Sequence, residues 1–201
     1  MSVGAVTGKR ERTKVANRAA ILTAARRVFS DMGYGAASVR DIVRGTDLAT
    51  GTFYNYFPDK ESVLVALLEE SAGEARVRVR AARRAGETLE AFVFEGFRAY
   101  FDYMLEDPTT SQLIARNAGT IRAMFHEPSL VAGTEELAED LRAGVQSGLI
   151  PEHDIEYMAA AMVGAAVEIG ARMLNSAAPD PERATAFVSE LFVAGLRGQA
   201  R

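Results

Sequence analysis

Apolar positions recur with a helical period through almost the whole chain. Between Asn17 and Met32, the residues Ile21, Leu22, Ala25, Val28, Phe29 and Met32 keep the i, i+3, i+4, i+7 spacing of one helix face, and Gly33 stands where a left-handed C-cap ends such a helix. Ser38, with Asp41 three residues later in place of the preferred Glu or Gln, resembles a capping box and opens a second helix, which Gly45-Thr46-Asp47 stops within two turns. A third short helix is expected over about Thr50 to Phe57; Pro58-Asp59 then breaks the chain and caps a longer helix from near Lys60. Beyond Gly86 the pattern predicts helices at about 88–106, 109–126, 129–147, 154–175 and 181–197, punctuated by Asp107-Pro108, Glu127-Pro128, Gly148-Leu149-Ile150-Pro151 and Ala178-Pro179-Asp180-Pro181. Only Arg76-Val77-Arg78-Val79-Arg80 alternates as a strand would. It has no partner strand and is read as the solvated end of the fourth helix.

Composition sharpens this all-α picture. The 201 residues are 48% hydrophobic and 25% charged, a globular balance for one large domain or two small ones. The absence of cysteine excludes disulfide scaffolds, thiolate zinc sites, iron–sulfur clusters and cysteine nucleophiles, and fits a reducing compartment. The longest apolar run, Tyr157 to Val167, is about half the roughly 20 residues a membrane helix needs, and the N-terminus is polar and basic, so neither a membrane span nor export is expected and the cytoplasm is the expected location. Charge is unevenly spread. Residues 1–60 hold ten Lys/Arg against five acids, whereas the rest hold thirteen against twenty-two. A basic end on an acidic body points to a polyanion partner at that end, although solubility alone also produces such splits.

Two short helices joined by a tight turn, with a helix before them, have the geometry of a helix-turn-helix DNA reader, which is also common in all-α proteins. The content of the third helix sharpens it. Phe53 and Phe57, four apart, can anchor the helix on one face, leaving the hydroxyls of Thr50, Thr52, Tyr54 and Tyr56 and the amide of Asn55 around the rest. Such groups donate to phosphates and reach base edges. Gly51 is a poor helix residue at a cost of about 1 kcal/mol, and it removes side-chain bulk where a backbone must approach DNA.

The stretch Asp41-Ile42-Val43 through Gly51-Thr52-Phe53-Tyr54-Asn55-Tyr56-Phe57-Pro58-Asp59-Lys60-Glu61, with Ala19-Ala20-Ile21-Leu22 to Phe29-Ser30-Asp31-Met32-Gly33-Tyr34 before it, resembles the TetR family of transcriptional regulators over about residues 17–65. The resemblance implies an all-α homodimer with an N-terminal three-helix helix-turn-helix domain and a C-terminal helical ligand-binding and dimerisation domain whose occupancy releases DNA. It further implies DNA contacts at Ser38, Arg40, Thr50, Gly51, Thr52, Tyr54, Asn55, Tyr56 and Lys60, the last by phosphate pairing. Three positions depart from the family pattern. Asp47 replaces a turn glycine, which Asp can mimic in a left-handed conformation; Val43 replaces an alanine; and Ala49 replaces a frequent serine cap, leaving Thr50 as a substitute.

The chain is accordingly divided into a basic flexible arm at 1–16, a DNA-binding domain at 17–63 and a ligand-binding and dimerisation domain at 64–201. The arm, Lys9-Arg10-Glu11-Arg12-Thr13-Lys14, is either a solubilising disordered tail or a phosphate or minor-groove contact that orders on binding. The helix at 88–106 is apolar nearly all round, so it is either plain core or the wall of a greasy pocket. The resemblance places a hydrophobic small-molecule effector among these middle helices, which makes Phe92, Phe97, Tyr100, Phe101, Met104, Ile121, Phe125 and Met162 its candidate contacts. Asn117, the polar member of the 109–126 stripe, either orients that ligand or caps a neighbouring backbone group. Small residues four apart, Ala160 with Gly164 and Ala166 with Gly170, together with the apolar helix at 181–197, suit a dimer interface through about 154–175 and 181–197. No cofactor, metal site or catalytic constellation is expected. His126 and His153 fit no metal or catalytic pattern, and there is no nucleophile elbow, Walker loop or dinucleotide fingerprint. The reading is a ligand-responsive repressor acting on a double-stranded, palindromic operator. The alternatives are an all-α small-molecule binding or sequestering protein without operator binding, and a cofactorless enzyme using the apolar cavity.

Overall fold

The computed structural model describes residues 4–123 and 128–199, and every regular element among them is an α-helix. Two compact units divide the chain, Met1–Leu68 and Glu69–Arg201, so the boundary falls after Leu68 rather than after residue 63 and lies inside a helix common to both.

The first unit holds α1 (Gly4–Met32), α2 (Val39–Arg44), α3 (Thr50–Phe53) and the opening turns of α4 (Lys60–Ala85). Ile21, Leu22, Ala25 and Phe29 of α1, Ile42 of α2, Phe53 and Phe57 of the third segment, and Val63, Leu64 and Leu67 of α4 are among its buried side chains. The expected stop at Gly33 and the cap at Ser38 are present. Gly33 takes φ 81°, and Ser38 with Asp41 forms a reciprocal capping box in which the Ser38 N–H donates to the Asp41 carboxylate at 3.0 Å.

Four local expectations change. α1 starts at Gly4, so the described part of the arm is an exposed helical extension instead of a flexible segment. Nucleating a helix is the costly step, and the packed part of α1 has already made it, so good helix formers such as Lys9, Arg10, Glu11, Arg12 and Lys14 extend it turn by turn. α3 is a single turn ending at Phe53, continued by turns to Phe57, whose N–H donates to the Phe53 carbonyl at 3.1 Å. Pro58 disfavours the helical region for the residue before it. The turn between α2 and α3 needs no left-handed residue, because none of the described non-glycine residues has positive φ. The Thr46 hydroxyl shapes this turn, donating to Val43 O at 2.9 Å and accepting from the Leu48 N–H at 3.2 Å. Ala49 caps α3 without a side-chain hydrogen bond and Thr50 is the first helical residue, so the substitute cap is not used.

The second unit holds the rest of α4, α5 (Leu89–Glu106), α6 (Pro108–Arg116), α7 (Ala118–Ala123), α8 (Pro128–Gln146), α9 (Ile155–Leu174) and α10 (Pro181–Gln199). α5 packs on α6, α9 and α10, and Phe97 stacks with Phe101 at 6.2 Å and with Phe192 of α10 at 5.6 Å between centroids. By length and composition α9 alone among the described helices could cross a membrane, a property the run Tyr157 to Val167 did not disclose. In this unit α9 packs on α5, α6, α8 and α10. The helix expected at 109–126 is broken at Asn117, whose side-chain amide donates to Leu113 O at 2.7 Å and competes with the helical ladder. Phe125 and His126 lie outside the described residues.

The end of α4 is not simply solvated, although Val77 is exposed. Arg83 and Asp140 of α8 are both buried and paired at 2.8 Å; Arg84 reaches the same carboxylate at 2.9 Å and Arg80 at 3.4 Å. Arg76 pairs with Glu136, and Arg80 also with Glu139 at 2.7 Å. The Arg76 guanidinium holds the Glu136 carboxyl below its ordinary value, mainly by hydrogen bonding. Arginines at 76, 80, 83 and 84 share one helix face, and α8 meets them with carboxylates.

Candidate nucleic-acid interface

The third segment divides as the Phe53/Phe57 spacing requires. Both phenylalanines are buried, Thr50, Gly51, Tyr54 and Asn55 are exposed, and Thr52 and Tyr56 are half-buried. Phe53 meets Phe57 at 6.1 Å and Tyr54 edge-on at 5.4 Å between ring centroids, so the inner face is rigid while hydroxyls and an amide remain in water. Gly51 has a further property: a Cβ built on it meets no protein atom within 4 Å. Nothing inside the molecule asks for glycine there. Ser38 and Arg40 at the start of α2 are exposed beside this surface in sequence order. The Ser38 hydroxyl and N–H also hold the Asp41 carboxyl below its ordinary value, the side-chain bond being the larger cause.

Two expected DNA contacts are already engaged. Lys60 donates to Tyr34 O at 2.7 Å and Ala37 O at 2.9 Å, and its ammonium lies 4.3 Å from the Tyr34 ring centroid. Two of its three hydrogens therefore tie the 34–37 loop to the start of α4, leaving one for a phosphate. The Tyr56 hydroxyl accepts from the Asn17 side-chain amide at 3.1 Å, and Arg18 lies over the Phe57 ring at 5.5 Å. Asn17 and Arg18 were not singled out by sequence. Their signal, polar residues just ahead of the apolar face of α1, resembles that of any solvated helix surface.

Residues 21–67 match the family described as bacterial regulatory proteins, tetR family. Residues 21–67 are thus a TetR-family helix-turn-helix region. It is 28% identical over 146 residues to the transcriptional regulator UidR of Escherichia coli K12, covering 66% of this chain and 68% of UidR. It is 36% identical over 94 residues to the repressor AcnR of Corynebacterium efficiens, covering 47% and 43% of the two chains. Among solved structures, FadR of Bacillus subtilis in complex with stearoyl-CoA superposes with a TM-score of 0.72 at 26% identity, covering 88% of this chain and 97% of that one. Like these relatives, the chain is a helix-turn-helix, DNA-binding transcriptional regulator.

In this regulator the residues read as effector contacts gather in the second unit. Phe92, Phe97, Phe101, Met104 and Met162 are buried in one apolar cluster, with Tyr100 packed against it. Asn117 and Ile121 are buried at the α6–α7 break, and Asn117 caps backbone there. Burial, with Tyr103 nearby as a second cause, pushes the Tyr100 phenol up to about 12, so it stays a neutral donor at physiological pH. The small-residue pairs separate. A Cβ on Gly170 would lie 2.5 Å from Met104 Sδ, which ties that residue to α5, whereas a Cβ on Gly164 meets nothing within 4 Å. Tyr157 on α9 and Phe187 and Leu191 on α10 are large exposed apolar side chains.

Proposed function

We propose that the protein is a cytoplasmic repressor that binds a pseudo-palindromic operator as a homodimer, and that a hydrophobic small molecule entering the α5–α9 cluster releases it. The observation that carries the DNA half is the open space at Gly51 on an exposed hydroxyl-rich face braced by Phe53 and Phe57. A glycine costing about 1 kcal/mol of helix stability, with no internal reason for it, is explained by a close external backbone. Thr50, Thr52, Tyr54 and Asn55 then face the major groove. Ser38, Arg40, Tyr56 and Lys60 flank it, the last two oriented by Asn17 and by the 34–37 loop.

Gly51→Ala tests this directly. The variant is expected to keep or slightly raise the melting temperature, yet to weaken operator binding roughly tenfold or more, in line with the about 1–3 kcal/mol lost with one base contact. A gel shift at fixed salt reads it. Unchanged affinity would sink the reading that the open space at Gly51 admits the DNA backbone.

For the dimer, Phe187 and Leu191 with Ala194, at i, i+4 and i+7, form an exposed stripe on α10, and Tyr157, Ala161 and Gly164 form one on α9. Pairing these across a twofold axis makes a four-helix interface and sets the recognition helices about 34–36 Å apart for half-sites one turn apart. An effector then acts only through its differential affinity for correctly and wrongly spaced forms. The hydrophobic class of effector is supported by the aromatic and methionine content of the cluster, and by the stearoyl-CoA bound to the B. subtilis FadR. Native mass spectrometry of the purified protein is expected to retain an apolar small molecule that dissociates more readily from Tyr100→Phe; equal retention by the variant would remove the phenol from the site.

A further inference from the structure

We propose that Arg10 and Lys14 grip the operator's phosphate backbone from a preformed helix, and that Asn17 is the positioning residue aiming them beside the recognition segment. The inference rests on the DNA-binding reading and adds to it a second, non-reading contact surface.

α1 runs without interruption from Gly4 to Met32, so the basic turns and the buried Ile21–Phe29 face belong to one rod. Within the extension Arg12 Nε donates to Gly8 O and the Thr13 hydroxyl to Lys9 O, both at 3.0 Å. Arg10, Lys14 and Asn17 stand at i, i+4 and i+7, on one side of the rod over about 10 Å of its length. The bond from Asn17 to Tyr56 turns that side toward the end of the recognition segment. At about 100° per residue, Arg12 falls on the far side and Lys9 on the flank, so only part of the basic cluster is aimed.

The occupant follows from charge and continuity. The face carries two exposed cations, it continues the hydroxyl-rich surface through Asn17 and Tyr56, and duplex DNA presents about one negative charge per 1.7 Å of axis. Because the extension grows from a packed helix, its ordering entropy is spent in folding and not at binding.

The test is the slope of log affinity against log salt on a duplex selected by the wild-type protein from a random pool. Arg10→Gln with Lys14→Gln is expected to reduce the slope by about 1.8, two phosphates at about 0.9 each. Lys9→Gln with Arg12→Gln is expected to change it by less than half as much. Thr13→Pro restarts the helix at the proline and detaches Arg10 while sparing Lys14, so a loss of about 0.9 is expected at an unchanged melting temperature. Asn17→Ala is expected to lower the slope without removing any charge. Equal losses from the two glutamine pairs, with no effect of Thr13→Pro, would show a flexible tether and overturn the proposal. So would unchanged slopes throughout. If the wild type shows no salt-sensitive binding at all, the DNA-binding reading itself falls, a result separate from any variant's behaviour.

Discussion

Asp140→Ala is expected to destabilise the protein by about 3–5 kcal/mol, because it leaves the buried Arg83 charge without a counter-ion and strips a shared partner from Arg80 and Arg84. In a chain of this length that is a fall in melting temperature of roughly 6–20 °C. Denaturant titration followed by circular dichroism measures it. A loss under about 1 kcal/mol would mean that the arginines find water instead. Replacing Arg83 and Asp140 together by Met and Leu is expected to recover much of the loss, since desolvating a buried pair offsets most of its attraction. The neighbouring Glu136 gives the acid limb its sign. Its folded carboxyl titrates below 4.5, so its contribution is full above that value and is lost as pH falls through the depressed one.

Phe187→Glu with Leu191→Glu is expected to yield a folded monomer and to cut operator affinity by about 10²–10⁴-fold, because the second half-site is no longer held at high effective concentration. Both side chains are exposed, at 59% and 56% of their full accessibility, so charge there opposes association more than folding. Sedimentation at micromolar concentration, paired with a gel shift on full and half operators, separates the outcomes. A dimer that survives the substitutions places the twofold contact elsewhere. A monomer that still binds the full site at wild-type affinity removes the need for a dimer.

Features governed by neighbours in sequence were legible in advance. The Ser38–Asp41 capping box, the Gly33 C-cap and the Asp107-Pro108 start of α6, where the Asp107 carboxylate accepts from the N–H groups of Thr109 and Thr110, are set by bonds spanning two to four residues. So was the inner face of the recognition segment, since a four-residue spacing decides which rings point together. The break at Asn117 was not, because an apolar stripe continues past it while one amide captures the Leu113 carbonyl. The start of α1 was hidden as well. Polar residues carry no periodicity, and that part of the helix inherits its nucleus from turns further along.

Residue type and spacing were enough to determine an all-helical chain with a basic end on an acidic body, and the motif around Tyr54 carried the resemblance to the TetR family. Tertiary structure alone decided the role of individual charges. Lys60 reads as a free phosphate ligand until the 34 and 37 carbonyls take two of its three hydrogens, and the arginines of α4 read as a solvated face until α8 brings Asp140 between them. The physical reason is distance. A cap or a helix face is settled by atoms a few residues away, whereas a cation's partner is whichever carboxylate, carbonyl or phosphate the fold delivers, and for Arg83 that group lies 57 residues along the chain.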